Sequence, residues 1–170
     1  MRNIEGKQLT NISTDHTNIW VFNRTLAVRL LRNNLLNIWV GNSLRKRNNA
    51  ILRGIGTQAV GWGIINVAIA IYALVTTRRR LDEAENPFAP AIIERETRNI
   101  HRALLFNTPL NLLYILGGRW LARSANWNEN YKRGNGWGIV IQGLLLFIHD
   151  YYHLVNVPEP PTSPSKHQTH

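Results

Sequence analysis

The chain has 170 residues and a formal charge of +10, from 20 Lys+Arg against 10 Asp+Glu. It has no cysteine, which excludes disulfides and thiolate metal sites. The cationic surplus favours anionic partners, either nucleic acid or anionic lipid headgroups.

In chain order, residues 1–18 read as a flexible polar tail with no apolar segment of the kind a signal peptide needs. A first helix is expected over about 19–44. It carries Arg24, Arg29 and Arg32, and its cleanest apolar run is the short "LLNIWVG" at 35–41. On its own it could lie along a membrane surface. The second helix is expected over 54–77, closed by "RRR" at 78–80. The acidic, proline-bearing "LDEAENPFAP" at 81–90 is the best internal boundary. A third helix is expected over 91–121, with Pro109 kinking it by removing a backbone bond near Leu105. "SANWNENYKRGNG" at 124–136 reads as a polar loop, followed by a fourth helix over 136–156. The proline-rich residues 158–170 read as a disordered tail.

The mean hydropathy of −0.22 conceals a sharp segregation of charge. Gly54 to Thr77 is 24 residues without a charge. As a helix it extends about 36 Å, against a hydrocarbon core of about 30 Å. Ala103 to Gly118 is another uncharged stretch, of 16 residues, and Asp150 is the only formal charge between Gly134 and Val157. Tryptophans and tyrosines cluster near the expected helix ends, as in interfacial belts. Together these features imply an all-α, four-helix transmembrane bundle rather than a soluble all-α domain. Nucleic-acid binding would explain the charge but not the apolar segments. The lipid bilayer, with anionic headgroups, is the expected partner, and no nucleic acid is. Lys/Arg counts on the two faces differ little and lean towards cytoplasmic termini.

An internal repeat is also expected. "LLRNNLLN" at 30–37 and "LLFNTPLN" at 104–111 share Leu-Leu-x-Asn-x-x-Leu-Asn, offset by 74 residues. "RGIG" at 53–56 and "RGNG" at 133–136 match at an offset of 80. Each half would be one helical hairpin, and two tandem hairpins would form a parallel repeat.

Asn33 and Asn37 are spaced i, i+4, as are Asn107 and Asn111. Amides in hydrocarbon need partners, and the candidates are each other together with Gln58, Asn66 and Gln142. Such a cluster is either interhelical glue or the lining of a polar path. Gly54, Gly56, Gly61 and Gly63, and Gly134, Gly136, Gly138 and Gly143, would let backbones approach closely. A phosphate-binding glycine loop is a poor fit, because no strand precedes either stretch and no GxxxxGK[ST] follows. "FIHDYYHLV" at 147–155 puts His149 and His153 on one helical face with Asp150 beside them. His101 would lie at the same membrane face. These four could hold a metal or haem. Alternatively they are interfacial side chains, with Asp150 paired to Arg29, Arg32 or Arg102. No catalytic residue, metal or cofactor is assigned from the sequence.

The stretches "RGNGWGIVIQGLLLFIHDYYH" (133–153) and "LLFNTPLNLLYILGG" (104–118) carry a resemblance. Over about residues 20–157 the chain resembles a family of small bacterial membrane proteins classed only as a domain of unknown function. The resemblance rests on the Gly-rich entrance, the Gln-Gly pair at 142–143 and the Asp near the end of the fourth helix. It implies a bundle in the bacterial inner membrane and supplies no reaction. Where the family pattern has an acid on the third helix, this chain has Asn111. Three functions are compatible with these residues. They are a non-enzymatic scaffold or accessory subunit forming homo-oligomers or larger complexes, a small transporter or channel, and a metal or haem redox protein.

Overall fold

The computed structural model describes residues 18–159. The two tails expected over 1–18 and 158–170 therefore lie almost wholly outside the described residues. Within them the chain is all-α, with four helices packed as a bundle: α1 Ile19–Arg45, α2 Ala50–Glu83, α3 Pro90–Arg123 and α4 Asn130–Leu154.

Local chemistry sets the ends. The Asn18 side chain accepts the Trp20 N–H, and the Asn49 side chain accepts the N–H groups of Ile51 and Leu52. Each is an N-cap that satisfies otherwise orphaned donors. Pro90 occupies the first turn of α3, where its missing N–H is harmless. The Glu129 carboxyl accepts the Asn126 N–H at 2.8 Å just before α4. That bond, with Lys132 nearby, holds its pKa below the usual carboxylate range.

Two ends differ from expectation. The cap at Asn49 starts α2 before Gly54, and α2 continues past "RRR" to Glu83. Beyond the apolar stretch its turns are held by the i, i+4 pairs Arg78–Asp82 and Arg79–Glu83. Likewise α4 starts at Asn130, so both Arg-Gly-x-Gly stretches lie inside helices rather than at their entrances. Helix α3 runs continuously through Pro109 and through Gly117 and Gly118.

The hairpin pairs α1–α2 and α3–α4 make the broadest contacts, α2 packs on α4, and α1 barely touches α3. Glycine makes the α2–α4 crossing possible. A Cβ on Gly54 would lie 2.5 Å from the Tyr131 carbonyl oxygen, and one on Gly134 would collide with the Ile51 backbone. The outer pairs use the same device. Gly56 meets the Gly41 carbonyl, and Gly118 meets that of Gly136. Gly61 differs, because a Cβ there would meet nothing within 4 Å, so it is not a packing glycine.

The interior is small and polar. Buried apolar residues are mostly alanines, with Ile19, Trp20 and Leu104. Among them lie Asn23, Asn34, Asn66, Thr77, Glu96, Thr108, Asn111, Gln142 and His153. Large apolar side chains point outwards: Trp39 is 69% exposed, Leu36 59% and Phe106 70%. At one end of the bundle Glu96, 1% exposed, accepts from Arg80 at 2.7 Å. Beside it the Trp20 indole donates to the Pro87 carbonyl at 3.0 Å.

Two stability outcomes follow from this packing. Gly134→Ala should destabilise the bundle by on the order of 2 kcal/mol through overpacking. Gly61→Ala should be neutral or gain up to about 1 kcal/mol of helix propensity. Thermal unfolding compares them, and equal behaviour would show that glycine does not set the crossing. Glu96→Ala strips a buried partner from Arg80 and should cost about 3 kcal/mol. A double-mutant cycle with Arg80→Ala measures the coupling, and a coupling of zero would remove this pair from the core.

Candidate functional site: interhelical amides and the seam between α1 and α4

Side-chain amides bridge the helices at successive levels. Between α1 and α2, Asn23 Nδ2 donates to Thr77 Oγ1 at 3.0 Å, and Asn66 Nδ2 donates to Asn34 Oδ1 at 3.1 Å. Eleven residues along α1 match eleven back along α2, as antiparallel packing requires. Between α2 and α4, Gln58 Nε2 donates to Asn135 Oδ1 at 2.8 Å.

The central link joins α1 to α4. Asn37 Nδ2 donates to Gln142 Oε1 at 2.6 Å, and Gln142 Nε2 returns a bond to Asn37 Oδ1 at 3.3 Å. Asn37 Nδ2 also reaches the Ala59 carbonyl at 3.2 Å. A reciprocal amide pair satisfies one donor and one acceptor on each side, which offsets the desolvation of both.

Asp150 is bound by α3. Asn111 Nδ2 donates to Asp150 Oδ2 at 2.8 Å, and Asn111 is buried. Arg29, Arg32 and Arg102 were the expected partners of Asp150. None of the three has a carboxylate within 4 Å among the described residues. Arg29 instead lies over the Tyr152 ring, 5.6 Å from its centroid.

Other sequence candidates separate. Asn37, Asn111, Gln58, Asn66 and Gln142 all take part in interhelical bonds, whereas Asn33 and Asn107 are exposed. The buried residues at their level are the next ones along, Asn34 and Thr108. Gly63 and Gly143 pack against Ile38 and Ile115 of the adjacent helices, and Gly138 against Gln58. His101 is exposed and lines a separate cavity with Glu94 and Arg98. It does not join His149, His153 and Asp150, and no group of three His, Cys, Asp or Glu poised for a metal occurs among the described residues.

His153 is 2% exposed, and its Nδ1 is 2.7 Å from the His149 carbonyl oxygen. A carbonyl only accepts, so Nδ1 carries the proton. The Nε2 atoms of both histidines are buried without a protein partner. The rings lie close, with centroids 4.4 Å apart, and Phe22 of α1 meets His153 edge-on at 5.9 Å.

Two cavities follow the α1–α4 seam. One, of about 400 Å³, is walled by Leu30, Leu36, Val40, Ile141, Leu145 and Leu146, with Asn33, Asn34, Asn37, Gln142 and His149 on its polar side. The second, of about 280 Å³, lies nearer the α1 N-terminus. Val21, Phe22, Thr25 and Arg29 line it from α1, and Tyr152, His153 and Asn156 from the C-terminal end of α4.

The fold and its interior define a four-helix bundle held through glycines and amides, with an open seam on one side. The chain belongs to the family described as Family of unknown function (DUF6992), which it matches over residues 29–151. No curated protein and no solved structure matches it.

The Asn37–Gln142 pair has a distinctive mutational signature. Asn37→Leu or Gln142→Leu alone leaves a buried amide unpaired and should cost about 1–3 kcal/mol. The double substitution should recover much of that loss. Unfolding of all four forms completes the cycle, and strictly additive losses would show that the amides act independently.

Proposed function

We propose that the chain is an integral membrane protein whose four helices all cross the bilayer, acting as a non-enzymatic scaffold or accessory subunit. The observation that carries this is the inversion of the bundle. Asn, Gln, Thr and Gly are inside, while Leu36, Trp39, Ile65, Phe106, Leu113, Leu116 and Ile148 face outwards. An apolar outer surface of this extent is unfavourable in water and favourable in lipid. On length and composition alone one helix, α2, is a candidate span among the described residues. The other three carry polar residues that bond inside the bundle, which lowers their average hydropathy without exposing those groups to lipid.

The duplication is part of the proposal. Its support is the Gly41–Gly56 contact between α1 and α2 beside the Gly118–Gly136 contact between α3 and α4. The resemblance of residues 104–118 and 133–153 supports a bacterial inner membrane. The distribution of Lys and Arg supports cytoplasmic termini. Residues specialised for packing support assembly with a second copy or a larger membrane complex.

A second reading, a transporter or channel, is favoured by the cavity beside Asn37 and Gln142. Its walls are exposed leucines, so it opens sideways out of the bundle.

The chain lacks cysteine, so single-cysteine variants report topology cleanly. Cysteines at Asn48 and Trp127 should label from one side of intact membranes and one at Glu85 from the other, while the protein stays in membranes at alkaline pH. Release into the soluble fraction, or labelling of all three from one side, would overturn the four-span topology. Crosslinking in native membranes should give species larger than a monomer. Monomer alone would count against the scaffold role.

A further inference from the structure

We infer that the α1–α4 seam is a binding site for one anionic phospholipid with a hydroxylated headgroup. Its phosphate sits at Arg29 and its acyl chain in the groove beside Asn37 and Gln142. The inference rests on the membrane reading.

Charge is the first support. The Asn23–Thr77 bond sets the register, so Arg29 lies six residues, about 9 Å, inside the end of the uncharged stretch of α2. A guanidinium at that depth is costly unless it is paired or reaches the interface. Arg29 is half-buried and has no carboxylate within 4 Å among the described residues. A phosphate just above it is the complementary charge and offers the paired oxygens that a guanidinium fork prefers.

The second support is an unfilled acceptor in the same cavity. His153 is 98% buried, and its Nδ1–H is committed to the His149 carbonyl, so Nε2 keeps a lone pair with no donor. The Thr25 hydroxyl lines the cavity too. Hydroxyls on the headgroup would supply the donor that a bare phosphate lacks.

Dimensions are the third support. The polar cavity continues along the same two helices into the apolar groove, from Arg29 and Leu30 to Val40 on α1. That is eleven residues, about 16 Å, or about half of a 30 Å hydrocarbon core. The seam therefore has the length of one leaflet, cationic at the headgroup end and lined by Leu30, Leu145 and Leu146 below it. A groove for a partner helix would need no isolated cation at one end.

The test uses the full chain purified in mild detergent, with thermal unfolding and native mass spectrometry as readouts. Phosphatidylglycerol should raise the melting temperature and remain bound as a single molecule, whereas phosphatidylcholine and inorganic phosphate should do neither. Arg29→Gln should weaken phosphatidylglycerol retention about tenfold, the loss of one charge-assisted contact. Leu145→Trp, which fills the groove, should abolish retention, and Arg24→Gln, outside both cavities, should leave it intact. Equal stabilisation by phosphatidylcholine, or full retention in Arg29→Gln, would overturn the proposal. Inorganic phosphate acting as well as the lipid would leave an anion site and remove the acyl groove. If Arg29→Gln does not fold, the Leu145→Trp variant and the wild-type lipid series still decide. Failure of the membrane reading looks different: the protein would be folded and soluble without detergent.

Discussion

Helices α2 and α4 meet through their backbones at Gly54 and Gly134, and most of the architecture follows from that contact. No side chain separates the two helices there, so a Cβ on either glycine would collide with the other chain. The flanking helices dock by the same means on the outside, α1 at Gly41 against Gly56 and α3 at Gly118 against Gly136. A helix held this closely to one neighbour cannot be equally close to every other. The α1–α4 seam is where the bundle stays open. It is closed only by long side chains: Asn37 to Gln142, Phe22 to His153, and Arg29 over Tyr152. Tight backbone packing on one side of α2 and α4 and an open groove on the other are consequences of one geometry.

Amides suit such an interior better than leucines would. Close crossings leave little volume between helices, so Gly, Ala, Ser and Thr fit and large apolar groups do not. Little apolar area is then buried, and the hydrophobic effect contributes correspondingly little. Interhelical bonds contribute about 0.6–2 kcal/mol each where no water competes. Five such links join all four helices, with α1 held to both α2 and α4. The links add specificity of register, because each requires a donor and an acceptor at the same level.

The helices were legible in the sequence because long uncharged stretches interrupted by charge are unambiguous, and because Pro90 and the Asn-rich loops mark their boundaries. Their true ends were less so. Expecting "RRR" to stop α2 overlooked the acids four residues on, which let the helix continue through the charges. The amides were found as a class but misplaced by one residue. In "RNNLLN" either asparagine of the pair can face inward. Choosing Asn33 followed the match to Asn107, whereas the helix buries Asn34 and Thr108. A stronger signal lay in α2, where Gly56, Ala59, Gly63, Asn66, Ala70 and Thr77 are all buried. These recur at steps of three, four and seven, the spacing of a packing seam made of small residues. Searching for apolar periodicity passes over such a stripe, since the large apolar residues here mark the outside. Glu96 escaped notice because it sits in a charged run, and nothing local shows that Arg80 reaches it from another helix.

The ion pairs also divide one end of the bundle unequally. Arginines of α2 are matched by acids: Arg78 and Arg79 by their own helix, and Arg80 by Glu96 of α3. On α3, Arg98 is matched by Glu94. Helix α1 brings Arg24, Arg29 and Arg32 towards the same end, yet none has a carboxylate within 4 Å among the described residues. The one acid near that level on α4, Asp150, is turned to Asn111 on the far side of its helix. A chain that neutralises the arginines of one hairpin internally and leaves those of α1 open has directed its unpaired cations to a single face. That face is also the edge of the only seam bridged by long side chains alone, so charge and cavity converge on the same place. An external anion there would complete both the electrostatics of α1 and the packing between α1 and α4.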